Sequence, residues 1–363
     1  MRMRDFGVVP GDLPPGQHNA ITDVPGVRVG HTTLVKGDGA LVPGHGPLRT
    51  GVTAILPHGD NLYRDKVAAA VYTLNGFGKA TGFEQIRERG VIETPLILTN
   101  TLNVWRAADA VVSYMLRDNP EIGIAASTIG PVVLECNDGF LNDLQGRHVS
   151  EADVWAAIES AASGAVVEGN VGAGTGTACY QFKGGIGTSS RIVLDGEYTV
   201  GALVQTNMGL RAELRVLGAP VGRHMLESHM PQPGAGSVIM MLATDAPLSP
   251  RQLRRLATRG ALGLARTGTS SHDQSGDFLV AFSTAHRFPH TPQTQTETRA
   301  YLHENTRAID LLFQAALEAV EESILNALVA GQTMIGRDGN TLYALPHDEL
   351  RHWLAHYRLI EVS

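Results

Sequence analysis

The sequence predicts an α+β fold. Three features carry that prediction. Strand-length apolar runs and helical stretches are mixed along the chain without alternating as regular βαβ units. The stretch from Asn305 to Val329 repeats apolar residues at spacings of three and four, as a long helix does. Ser237 to Leu242 is a short apolar run bounded by turns, the pattern of a buried strand. No internal repeat is present.

The elements follow in order. Residues 10–31 alternate Pro and Gly with short β-branched runs and read as loops and a first strand. Residues 33–50 are rich in Gly and Pro and read as a loop, and residues 51–57 as a strand. Residues 75–79 form a turn, and residues 82–90 a short helix closed by Gly90. A strand over 95–100 precedes helical spacing in Val104, Ala108, Val111, Val112 and Met115. Residues 123–137 are apolar and end at Glu135-Cys136-Asn137. Ser150 followed by Asp153 is an N-cap with an acid in the first turn, and residues 154–166 fit a helix. A dense glycine loop over 168–176 precedes a strand over 198–205 that ends at Thr206-Asn207. Ser249-Pro250 opens a helix over 251–265. A strand over 278–282 is interrupted by Ser283 and Thr284. Gly331 closes the long helix, and the His-rich tail, 346–363, is expected at the periphery.

Composition narrows the function. A chain of 363 residues fits two lobes or one large layered domain. A net charge of −7 without a basic stripe argues against nucleic-acid binding. No run approaches the ~20 apolar residues of a membrane span. Two cysteines, Cys136 and Cys179, form neither a disulfide framework nor a four-Cys zinc site. The N-terminal segment is too short for a signal-peptide core, so a cytoplasmic address is expected. Fourteen histidines show no His-Glu-x-x-His motif, and no metal or other cofactor is expected. Gly172-Ala-Gly-Thr-Gly176 is followed by a strand pattern, not a helix, so it fails as a dinucleotide loop. Asp143, Asp245 and Asp310 read as solvated or capping residues.

Ser237 is the centre of the chemistry. It stands where the loop Pro233-Gly234-Ala235-Gly236 meets the strand. Gly236 has no Cβ, which opens its carbonyl to attack by Ser237 Oγ. The segment reads either as a turn before a core strand or as a site of N→O acyl shift. In the second case hydrolysis leaves Ser237 as a new N-terminus. Its α-amine, of pKa about 7.7–8, suits a general base at neutral pH. Ser275 and Asp277, two residues apart at a strand mouth, share a face and read as a hydroxyl–carboxylate pair or a loop cap. Glu135 reads as a partner for a substrate ammonium or as an ordinary strand-end acid. Asn207 reads as an oxyanion donor or an ordinary strand end.

Together these segments resemble one family. Residues 16–31 look like its opening, residues 169–190 like its central glycine signature, and Gly236-Ser237 with Ser275-Gly276-Asp277 like its catalytic segments. The family is that of the L-aminopeptidase D-Ala-esterase/amidases and β-peptidyl aminopeptidases. The likeness runs over roughly residues 8–340.

The resemblance implies a single catalytic domain, 1–363, in an αββα sandwich. That sandwich is like the one of N-terminal-nucleophile hydrolases, with the different connectivity of ornithine acetyltransferases. It implies self-cleavage between Gly236 and Ser237 into an α chain, 1–236, and a β chain, 237–363. Members form homo-oligomers of αβ units, often tetramers. Ser237 would be the nucleophile, Ser275 and Asp277 its assistants, Asn207 the oxyanion support, and Glu135 the contact to the amine of a short peptide or amino-acid amide. Some members carry glutamate where Asp277 stands, and some carry an aromatic after the glutamate where this chain reads Cys136-Asn137. An acyltransferase of the ornithine acetyltransferase type, an ω-amino-acid oligomer hydrolase and a non-catalytic ligand-binding protein on the same scaffold are the alternatives. The first two usually carry threonine as nucleophile, against Ser237 here.

Overall fold

The computed structural model of the chain describes residues 1–226 and 236–361. Its strands are β1 (Arg28–Lys36), β2 (Leu48–Leu56), β3 (Asp65–Gly76), β4 (Val91–Ile92), β5 (Leu96–Asn100) and β6 (Val132–Cys136). They continue with β7 (Ala178–Cys179), β8 (Phe182–Lys183), β9 (Ile186–Val193), β10 (Tyr198–Asn207), β11 (Ser237–Thr244), β12 (Gly276–Pro289), β13 (Met334–Ile335) and β14 (Thr341–Leu342). The principal helices are α1 (Phe83–Arg89), α2 (Val104–Asp118), α3 (Glu151–Glu159), α4 (Pro250–Arg266), α5 (Arg307–Val329) and α6 (His347–His356).

Two sheets organise the molecule. A four-stranded sheet runs β1-β2-β5-β6, and a six-stranded sheet runs β4-β3-β12-β11-β10-β9. In the larger sheet β11 pairs parallel with β12 and antiparallel with β10.

Apolar side chains sort into three layers of contact. Val104, Ala107 and Val111 of α2 and Val154 of α3 pack on Val52, Ala54 and Val133 of the small sheet. Leu96, Leu98 and Leu134 on its other face meet Leu203, Ile239, Met241 and Val280 of the large sheet. Leu253 and Leu256 of α4 and Val320 and Ile324 of α5 pack on the far side of the large sheet, against Val238, Met240, Leu242 and Leu279. The result is the αββα sandwich.

Helix boundaries follow local chemistry. Gly90, at φ 66°, ends α1 through an N–H bond to Ile86 O. Ser150 and Asp153 form a reciprocal capping box at the start of α3. Ser249 caps α4, with Pro250 in the first turn. Helix α5 approaches α4 closely at Gly263, where a Cβ would stand 2.4 Å from Leu317 O.

Several expectations are corrected. The loop expected over 33–50 is partly strand, because β1 runs on to Lys36 and β2 begins at Leu48. The strand β3 had no counterpart in the sequence reading. Its centre, Ala68-Ala69-Ala70, is buried, and alanine carries little strand signal of its own. Helix α3 stops at Glu159, seven residues short of the expected end, because Ala162 is taken up by Val29 in a two-way backbone pairing (3.0 and 3.1 Å). Of residues 123–137, only Val132–Cys136 is strand. Strand β12 runs through Ser283 and Thr284, since Ser283 Oγ finds Ala246 O at 2.7 Å. Helix α5 is capped by Ala330, not by Gly331. The tail is not peripheral, for Leu350 and Leu354 of α6 are fully buried in the outer core. Asp143 is buried and accepts from Gly44 N, Gly46 N and His148. Among the described residues no helix is long and apolar enough to cross a membrane.

His31 on β1 bonds Thr53 through Nδ1 (2.9 Å), while its Nε2 is buried with no partner among the described residues. Burial lowers its pKa from 6.5 to about 4. The unfolded chain therefore binds a proton that the native state refuses between those values, and stability falls as pH drops from 6.5 to 4. The melting temperature of His31→Gln is expected to fall less than that of the unsubstituted chain across this window, as thermal scans at closely spaced pH will show.

Candidate active site

Ser237 is the first residue of β11, in register with Asn207 on β10 and with Gly276 on β12. Strand alternation places its side chain with Ile239 and Met241, on the face between the two sheets. There the buried Cys136, at the end of β6, lies against Ser237 Oγ. The thiol is directed at Gln205 O (3.5 Å), so Ser237 Oγ keeps no hydrogen-bond partner among the described residues. Burial holds the Cys136 thiol well above its usual pKa.

Gly236 precedes Ser237 with its backbone pressed on the end of β10. A Cβ at this position would stand 2.3 Å from Asn207 O and 2.4 Å from Met208 Cα, so close approach demands glycine here. The remainder of that loop, Pro233 to Ala235, lies outside the described residues. A cavity of about 430 Å³ opens beside Gly236, lined also by Ala178, Asn207, Met208, Leu210 and His272.

The Ala178 N–H donates to Asn207 Oδ1 at 3.1 Å, which identifies the oxygen of that amide and leaves its NH2 as the donor. The same peptide group is gripped at its other end, where Lys183 Nζ donates to Thr177 O (2.9 Å). Lys183 also donates to Gly174 O (2.9 Å) and Gly184 O (2.7 Å), drawing the glycine loop into a fixed shape. Burial pushes the Lys183 pKa down to about 7, while Cys179 and Asp138 act in the opposite direction. Asp138 is pushed up to about 7 by its own burial, with hydrogen bonds from Thr50, Asn142 and Asn100 opposing.

Ser275 Oγ donates to Asp277 Oδ1 at 2.6 Å, and Ser271 Oγ donates to Oδ2 of the same carboxylate. Asp277 alternates with Phe278, which faces the inter-sheet core, so Asp277 lies on the other face of the sheet. Its carboxylate lies by the backbone of Val238, the residue directly after Ser237 and its own partner in the β11–β12 register. Burial raises its pKa, against the hydrogen bonds from Ser271 and Ser275. Asp277 thus addresses the backbone at Ser237, while Cys136 faces its hydroxyl.

Glu135 stands next to Cys136 but on the opposite face of β6. It is buried, accepts from Thr101 Oγ1 and Lys79 N (3.1 Å), and has the Lys79 ammonium 3.8 Å away. Burial raises its pKa, opposed by Thr101 and Lys79. It does not line the cavity beside Gly236. The structure therefore gathers Ser237, Asn207, Ser275 and Asp277 at one end of the large sheet and sets Glu135 across the neighbouring edge.

Sequence reasoning missed Lys183, Asp138, Ser271 and His272. His272 read as a scattered loop residue, yet it lines the cavity and pairs with Glu213 at 3.1 Å. The signal available for it was the polar run Thr267 to Gln274 leading into Ser275. Among the described residues no three His, Cys, Asp or Glu side chains converge in a metal-binding group.

The model of Peptidase family S58 matches residues 19–342. The chain belongs to peptidase family S58. It is 45% identical, over an alignment of 382 positions, to the β-peptidyl aminopeptidase BapA of Sphingosinicella microcystinivorans, spanning 100% of this chain and 94% of that protein. The crystal structure of the PH0078 protein from Pyrococcus horikoshii OT3 superposes with a TM-score of 0.94 at 49% identity, covering 99% of this chain and 100% of that one. The L-aminopeptidase D-Ala-esterase/amidase from Ochrobactrum anthropi, a prototype for the serine aminopeptidases and a new variant among the Ntn hydrolase fold, gives 0.92 at 41% identity with 99% of each chain covered. This S58 chain is accordingly an aminopeptidase, built on the Ntn-hydrolase-like sandwich described above.

Thr101→Val in this S58 aminopeptidase removes a donor from a buried carboxylate without changing shape. It is expected to cost about 1–3 kcal/mol of stability at pH 8, read from urea midpoints. The loss should shrink as the pH falls toward the raised pKa of Glu135 and the carboxylate takes up a proton.

Proposed function

We propose that this S58 aminopeptidase matures by cutting itself between Gly236 and Ser237. The matured enzyme then releases N-terminal amino acids from short peptides, amino-acid amides or esters through an acyl-Ser237 intermediate. The observation that carries this reading is the position of Ser237: an unpartnered hydroxyl at a strand start, next to a glycine that opens on a cavity, with a carboxylate at the following amide.

In the first reaction Ser237 Oγ attacks the Gly236 carbonyl carbon. The bond from that carbon to the Ser237 nitrogen breaks, and the nitrogen takes the hydroxyl proton. Water then hydrolyses the ester, leaving a carboxylate on Gly236 and both an α-amine and a hydroxyl on Ser237. In turnover the α-amine accepts the proton as Oγ attacks a substrate carbonyl, and returns it to the leaving amine. Asp277, through its own acceptor oxygens and Ser275, holds that ammonium in place. The Asn207 NH2 donates to the oxyanion, an effect worth roughly 3 kcal/mol when well aimed.

Glu135 takes the ammonium of the substrate. The Lys79 ammonium, 3.8 Å off and beyond hydrogen-bond distance, is the cation that the substrate's would displace. A serine nucleophile favours hydrolysis over the acyltransferase alternative.

Intact-mass measurement of the purified chain is expected to give two fragments, residues 1–236 and 237–363, and Ser237→Ala a single chain without activity. A Ser237→Ala protein that still splits at this bond would end the proposal. The acid limb of kcat/KM belongs to the Ser237 α-amine, which must be unprotonated to accept the hydroxyl proton, and the Asp277 carboxylate beside it favours the ammonium. Asp277→Asn should move that limb to lower pH and lower kcat by about 10²–10⁴, which a pH–rate profile on an amino-acid p-nitroanilide measures.

A further inference from the structure

We propose that Asn75 is a positioning residue for Ser275, holding the His272–Ser275 segment through three backbone carbonyls and so fixing the hydroxyl that faces Asp277. The inference rests on the reading that Ser275 and Asp277 serve Ser237.

Asn75 lies near the end of β3, directly opposite Asp277 on β12. Its Nδ2 is 2.9 Å from His272 O, 2.9 Å from Asp273 O and 2.7 Å from Ser275 O. One NH2 group thus serves three acceptors that belong to a single turn. That turn is closed by Ser275 N–H donating to His272 O at 2.8 Å, and Phe77 N–H adds a second donor to Ser275 O at 3.2 Å. The pairing of β3 with β12 carries an irregularity at this point, where the partners step from Asn75 to Thr73 between Asp277 and Phe278. Bulges of this kind re-aim side chains at strand ends. Here the skipped residue is Leu74, and the step brings the Asn75 amide under the turn.

The chemistry of the contact is specific. Three converging carbonyl oxygens require a donor, and an amide NH2 is the neutral side-chain group that offers two hydrogens from one atom. A carboxylate of the same shape would present lone pairs to lone pairs. The 272–275 turn also forms part of the cavity wall beside Gly236, so its placement governs both Ser275 and the space in front of the scissile bond.

The test compares Asn75→Asp, Asn75→Ala, Ser275→Ala and the double variant Asn75→Ala/Ser275→Ala, all as matured enzyme, on an amino-acid p-nitroanilide. Asn75 is partly exposed near the end of β3, and unchanged circular dichroism confirms folding. Asn75→Asp is expected to lower kcat by about tenfold to a hundredfold, the scale of an ångström-sized misplacement. KM should stay within about twofold, since a group acting in the transition state is displaced. Asn75→Ala is expected to behave in the same way, and to add little once Ser275 is already alanine. Wild-type kcat in Asn75→Asp, or losses that multiply in the double variant, would overturn the inference while leaving the proposed mechanism intact. Wild-type kcat in Ser275→Ala would remove the role of Ser275 itself and this inference with it. If Asn75→Asp fails to fold, Asn75→Ala, which truncates without adding lone pairs, decides by the same criteria.

Discussion

The site depends on the register of one strand. Because β11 runs antiparallel to β10 and parallel to β12, its first residue falls beside the last residue of β10 and the first of β12. Asn207, Ser237 and Gly276, far apart in sequence, therefore stand in one row. A shift of one residue would turn Ser237 from the inter-sheet face to the helix face. The apolar pattern of β11 does little to prevent that slip, since Val238, Met240 and Leu242 are as buried as Ile239, Met241 and Ala243. The polar ends supply the constraint. Thr244 Oγ1 donates to Thr199 O at 2.8 Å and accepts from Ala246 N at 3.1 Å, and these bonds exist in one register only.

The same end of the molecule concentrates groups that water has left. Glu135, Asp138, Asp277 and Lys183 are all shifted from their ordinary pKa values, and burial is the largest cause for each. Desolvated groups of this kind persist when hydrogen bonds hold them. Each has them here: Thr101 and Lys79 N at Glu135, Asn142 at Asp138, two serines at Asp277, and three carbonyls at Lys183. Elsewhere the buried charges of α5 are tied into ion pairs, as Glu318 and Glu322 are with Arg191, and they serve packing. The carboxylates of α5 are thus held by arginines, whereas the groups at this end of the sheet are held chiefly by hydrogen bonds.

Much of this was legible in the sequence, and the limits have physical causes. Strand β11 and helices α2, α4 and α5 announced themselves through apolar spacing, and the placing of Ser237, Asn207, Ser275 and Asp277 at strand ends agrees with the sequence reading. The layer order came with the family resemblance, since periodicity says which face is apolar but not which sheet it meets. Strand β3 was silent because its alanines carry no strand preference. Lys183 was silent because a lysine after an aromatic reads as exposed until three carbonyls are seen to converge on it. His272 and Ser271 lie in a polar run where composition alone does not separate cavity wall from solvent. Asn75 read as part of a turn over 75–79, but β3 runs through it to Gly76. That it holds the 272–275 turn is a tertiary fact, set by the pairing of β3 with β12.

One feature of the geometry bears on why a residue at this position would be put to work as a chain end. The two faces of the large sheet supply different things to Ser237. The inter-sheet face holds the hydroxyl against Cys136, where nothing among the described residues binds it. The helix face carries Asp277, whose carboxylate reaches the backbone and not the hydroxyl. A serine within an intact chain would use only the first of these, because its nitrogen is an amide without basicity. Under the proposed cleavage the same nitrogen becomes an amine one residue from the amide that Asp277 faces, and nucleophile and base then belong to one residue. The proposed maturation thus gives a purpose to the carboxylate on the far face, which a catalytic scheme confined to the hydroxyl would leave without one.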